Sequence, residues 1–95
     1  IEKPNMGAVR AAVNADHSKN LKNREDIIFF SGRLPSDDGK GTVGSVFIIN
    51  ADSRAEAQAF SDEDAYTRAG VFESVRITRV KKGRFKPEIL DQLKE

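Results

Sequence analysis

His17 is the only imidazole in a chain of 95 residues. An imidazole titrates near neutral pH and serves as a general base when a carboxylate fixes its tautomer. The stretch "SGRLPSDDGKGTVGSVFII", residues 31 to 49, places two adjacent carboxylates, Asp37 and Asp38, in a glycine-flanked loop between apolar runs. Asp38 could supply the orienting carboxylate if the helix that bears His17 packs across those two runs. The plain alternative is structural. A lone His on an apolar helix stripe is commonly a hydrogen-bonded core residue, and Asp and Gly are ordinary turn residues.

Other chemistry is poorly served. One His with scattered carboxylates gives no zinc spacing, and a single imidazole is unusual for a transition-metal site. Asp37 and Asp38 could meet Mg²⁺ or Ca²⁺, but their loop lacks the ligand spacing of a calcium loop. "GKGTVGS" does not fit the phosphate-loop pattern and has no helix after it. The segment "RVKKGRFK" carries five basic residues and one aromatic. Solvated charge at a strand end explains it more simply than nucleic-acid contact.

Composition narrows the class. Ninety-five residues suit one domain with a modest core. At 38% apolar and 33% charged, the chain reads as folded rather than disordered. Sixteen basic against fifteen acidic residues leave a formal charge of +1, so charge makes no case for a nucleic-acid or membrane partner. The absence of Cys removes disulfides and thiolate chemistry and fits a cytoplasmic protein. No apolar stretch approaches the roughly 20 residues of a membrane span.

The elements that would position these groups follow from pattern. "KPNM" reads as a loop into a helix, with Asn5 as candidate N-cap. From Gly7 to Lys22, Val9, Val13, His17 and Leu21 recur at four-residue steps, and Arg10 projects from nearly the same side. Strands are expected near 27 to 34, 43 to 50 and 71 to 80, the first two as an antiparallel hairpin. Ser53 with Glu56 fits a capping box, and Gly70 a helix stop. Residues 1 to 80 form the domain. Residues 81 to 95 read as a basic linker and a helical tail after Pro87.

The order helix, strand, strand, helix, strand is an α+β ferredoxin-like split βαβ that lacks its first strand. The four residues before Asn5 are fewer than a normal strand of about five or six. The chain opens at Ile1 rather than Met, so the missing strand is expected from preceding residues, another chain or the tail.

These residues resemble the YCII-related proteins of the dimeric α/β-barrel superfamily over about residues 1 to 80. The markers are "KP" before the helix, Arg seven positions before His in "VRAAVNADH", then "SGRLPSDDG", "GSVFII", "ADSRAEAQAF" and "DAYTRAGVFESVRI". Arg33 and Ala65 replace prolines common in the family, and Asn14 stands where a second Arg is frequent. The resemblance implies a site built from a His and an Asp. The His is His17, and the Asp, six positions after the strand-end Gly32, is Asp38 rather than Asp37. Arg10, Ser45 and Tyr66 match other family positions and are expected to line a substrate cleft.

The implied chemistry is proton abstraction from a small cyclic or aromatic substrate, of lyase or isomerase type, with no metal or organic cofactor. One branch resembles a dehydrochlorinase that acts on a chlorinated hydroxyquinol. The rival is a non-catalytic, small-ligand-binding or stress-associated module on the same fold. A base role predicts that His17 and Asp38 face each other, and separation favours the rival. Apolar residues on both faces of "IIFF" and "VFII" predict a homodimer formed through the sheet.

Overall fold

Alanines at positions 8, 11, 12 and 15 favour a helix, and α1 runs Gly7–Asn23. Its N-cap is Met6, not Asn5, and makes no side-chain capping bond. Asn5 instead adopts φ 61°, a left-handed conformation that Asn tolerates, and so turns the chain into the helix. Lys22 in the last turn complements the helix dipole. The computed structural model describes residues 1–92.

The hairpin follows as expected. β1 (Ile28–Pro35) pairs antiparallel with β2 (Thr42–Ile49), with Phe30 opposite Ile48, Gly32 opposite Val46 and Arg33 opposite Ser45. Alternation separates the two faces. Phe47 turns inward to meet Phe60 edge-on, at 5.6 Å between ring centroids. Phe30, Val46 and Ile48 therefore share the opposite face, and all three are exposed.

α2 (Arg54–Glu63) opens on the expected cap: Glu56 N–H donates to Ser53 Oγ at 3.1 Å. The Glu56 carboxylate reaches back to Asp52 N–H at 2.9 Å. A single turn, α3 (Ala65–Arg68), follows and ends at Gly70, whose φ of +74° suits glycine. The buried apolar residues Phe60, Ala65, Tyr66 and Val71 gather around this turn. Against it packs α1, which buries no residue of its own completely.

Two features differ from the sequence pattern. Residues 71 to 80 are not a strand; only Phe72 is bridged, to Glu2. A ladder needs a partner, and the backbone alongside is Ile1–Lys3 alone. Glu2 N–H donates to Val43 O and Lys3 N–H to Val71 O, both at 2.9 Å. These three residues therefore lie between β2 and the 71–73 segment, the place of the first strand in a ferredoxin-like sheet. The tail forms a 3-10 helix at Pro87–Gln92 rather than an α-helix, and residues 93–95 of the expected tail helix lie outside the described residues. The sheet as described has two strands, and the α+β class stands.

Candidate functional site

The third position of the α1 stripe places His17 against α3. There Nδ1 lies 2.5 Å from the Asp64 Oδ1 oxygen, with the two side chains 13% and 10% exposed. A carboxylate only accepts, so Nδ1 carries the hydrogen and Nε2 is the remaining nitrogen. Asp64 is fixed in turn by its place at the start of α3, where its Oδ1 accepts from Tyr66 N–H at 3.3 Å. One carboxylate thus caps a helical turn and orients the imidazole.

Tyr66 completes the arrangement from below. Its ring stacks on His17 at 3.7 Å between centroids and 9° from parallel. Its hydroxyl donates to Asn14 Oδ1 at 2.8 Å, which ties the stack back to α1. Arg10 Cζ lies 5.3 Å from the same ring centroid. Arg10, Asn14 and His17 are spaced i, i+4 and i+7, so one side of α1 offers all three to one aromatic ring.

The expected pairing of His17 with Asp38 is not formed; Asp64 holds that place. Asp38 sits at the hairpin tip and accepts from Ser36 Oγ at 2.6 Å and Lys40 N–H at 2.9 Å. The Ser36 hydrogen bond, followed by that of Lys40, holds its carboxyl below the usual range. Chain direction explains the separation. α1 ends at Asn23 and β1 starts at Ile28, so the strand runs back and carries the tip toward the start of the chain. There Glu2 meets Val43, just beyond the tip, and also Arg10. His17 lies seven residues farther along the helix, about 10 Å of rise. Asp37 is exposed in the same tip.

The other expected residues are divided. Arg10 and Tyr66 join His17. Tyr66 is buried, so it serves as a platform under the imidazole and not as an open cleft wall. Ser45 lies half-buried on β2 opposite Arg33, with no bond to the His17 cluster. Asp64 and Asn14 join the site without being marked by the sequence pattern. The signal for Asp64 lay in "DAY", where Asp precedes a short helical turn and a Tyr. An open groove of about 600 Å³ begins one turn past His17, between Asn20 and Asn23 of α1, its C-cap Arg24, and Ala59, Asp62 and Glu63 of α2. Among the described residues, no three His, Cys, Asp or Glu side chains are grouped to hold a metal. No helix among them is long and apolar enough to cross a membrane.

Comparison with known proteins bears on this geometry. Residues 1–81 match the family model described as the YCII-related domain. No curated protein matches the chain. Among solved structures, the chain is similar to 5-chloro-2-hydroxyhydroquinone dehydrochlorinase (TftG) from Burkholderia phenoliruptrix AC1100, in complex with 2,5-dihydroxybenzoquinone. The similarity has a TM-score of 0.77 at 29% identity and covers 86% of this chain and 88% of that one.

Proposed function

Because the chain belongs to the YCII-related family, we propose that it is a cofactor-independent enzyme in which His17 abstracts a proton from a small cyclic or aromatic substrate. The observation that carries this reading is the Nδ1 contact with Asp64, which leaves Nε2 with its lone pair. Nε2 takes the proton from a ring hydroxyl or an acidic carbon. Asp64 stabilises the imidazolium that forms, and the electrons left on the substrate expel a leaving group or shift a double bond. The protein then acts as a lyase or an isomerase. Hydroquinone-type rings stand first among substrates, because the similar dehydrochlorinase acts on one.

The catalytic carboxylate in this reading is Asp64. Asp38 was expected there, and its separation from His17 would by itself favour a binding module. The chemistry behind that expectation is an imidazole whose tautomer a carboxylate fixes, and in this reading Asp64 is that carboxylate. A binding role remains the second reading, favoured by the groove next to the pair rather than over it. Arg10 offers a cation to an oxygen of the bound ring.

Assembly belongs to the same proposal. The exposed face of Phe30, Val46 and Ile48 lies opposite the helices, and a second copy laid on it would bury the apolar surface. A thermal-shift screen of phenols, lactones and chlorinated aromatics, followed by turnover of the hits by wild type and His17→Asn, tests the function. Binding and His17-dependent turnover are expected. Binding with turnover in neither protein would favour the binding module.

A further inference from the structure

Among the described residues, Glu2 is the one buried carboxylate that this mechanism does not use. Its side chain is 4% exposed, and its Oε1 lies 3.3 Å from Arg10 Nε. Its Oε2 is buried without a hydrogen-bond partner among the described residues, and Arg10 Nε also lacks a well-aligned one. Burying a carboxylate with one oxygen unsatisfied costs stability, and a buried ion pair is often no more stabilising than apolar side chains of the same size. Stability is therefore a poor explanation for this pair.

The sheet determines where that carboxylate points. Glu2 N–H bonds to β2 and the next residue bonds to Val71, so the backbone is held from both sides. The side chain is thereby delivered to Arg10, whose guanidinium lies over the Tyr66 ring. The same ring carries His17 at stacking distance. Four residues from three parts of the chain thus form a continuous series: Glu2, Arg10, Tyr66, His17.

We propose that Glu2 is a positioning residue. By holding Arg10 over Tyr66 it fixes the tilt of the ring on which the His17 imidazole rests, and so aims Nε2. This rests on the reading of His17 as the base, but its consequence is visible without turnover. A stacked aromatic ring shifts the imidazole carbon-bound protons upfield, and one histidine in the chain makes their NMR signals unambiguous.

The test compares Glu2→Gln, Glu2→Asp, Arg10→Met and Arg10→Lys in the whole protein, by melting temperature and by the His17 Cδ2–H and Cε1–H shifts. In folded Glu2→Gln and Arg10→Met, most of the upfield displacement should be lost. Glu2→Asp and Arg10→Lys, which keep the charges, should restore much of it. Wild-type shifts in folded Glu2→Gln and Arg10→Met, with only the melting temperature lowered, would overturn the proposal and leave Glu2 a structural residue. If Glu2→Gln does not fold, the contrast between Arg10→Met and Arg10→Lys decides, since neither disturbs the Glu2 strand contacts. Lack of turnover by the wild type would count against His17 as base and leave these shifts as they are.

Discussion

His17 lies ring on ring with Tyr66, and the Asp64 carboxylate meets the edge of the imidazole at Nδ1. One face and one edge of the imidazole are therefore occupied by protein. The ring nitrogen left is Nε2. The carboxylate at that edge is itself fixed, because Asp64 also caps α3. Asp64 thus serves both the α3 cap and the imidazole contact.

Asp64→Asn should separate the two roles. Asn can still accept from Tyr66 N–H, so α3 should persist. The amide no longer supports a charged imidazole, and turnover should fall by on the order of 10² to 10⁴-fold, the usual worth of general-base catalysis. Circular dichroism alongside kinetics checks this. A folded Asp64→Asn protein with near wild-type turnover would remove Asp64 from the mechanism.

Tyr66 can be dissected in the same way. Tyr66→Phe keeps the stack and loses the bond to Asn14, for a cost of about 0.5–1.5 kcal/mol in urea denaturation. Tyr66→Ala removes a buried ring and should cost about 3–5 kcal/mol. Equal costs for the two would mean that the hydroxyl, and not the ring, holds α1 to α3.

Asp38 should behave as a loop residue with its own pH signature. Its folded-state pKa is depressed, first by Ser36 and then by Lys40. The stabilisation from these bonds is present above the unfolded carboxylate value, about pH 4, and is lost as pH falls through the lowered folded value. The stability difference between wild type and Asp38→Asn should therefore be small at neutral pH and vanish in acid. Turnover and the His17 signals should stay at wild-type values. An Asp38→Asn variant as inactive as His17→Asn would restore Asp38 to the site.

Gly44 tests the place of residues 1–3. A side chain there would meet Leu34 Cδ1 at 3.3 Å and the Ile1 Cα at 3.4 Å. Leu34 can shift, but the Ile1 backbone is held by its bonds to Glu73 and Ser74. Gly44→Val should force Ile1–Lys3 away from β2 and cost about 1–3 kcal/mol. Hydrogen exchange should show the Glu2 and Lys3 amides losing protection first. Unchanged protection would mean that Ile1–Lys3 do not pair with β2.

Much of the fold was legible because it rests on local pattern. The β-branched and aromatic runs gave the hairpin, Ser53 with Glu56 gave the start of α2, and Gly70 the stop of the short α3. The segment 71–80 misled because alternation reports a half-buried surface but not whether a ladder partner runs beside it. His17 was legible as a candidate, and family spacing added Arg10 and Tyr66. Its carboxylate partner was not. The hairpin tip is prominent in sequence, yet whether it meets residue 17 depends on the direction in which β1 runs back along α1. Asp64 was hidden as an ordinary helix cap, and nothing local in "DEDAY" says that His17, 47 residues earlier, arrives at its edge.

The role of His17 is most directly tested by chloride release from 5-chloro-2-hydroxyhydroquinone, measured side by side for wild type, His17→Asn and Asp64→Asn at neutral pH. Wild type should release chloride, His17→Asn should not exceed the uncatalysed rate, and Asp64→Asn should be slower than wild type by on the order of 10²-fold or more. Equal release by wild type and folded His17→Asn, or none by wild type, would contradict His17 as the base acting on such a ring.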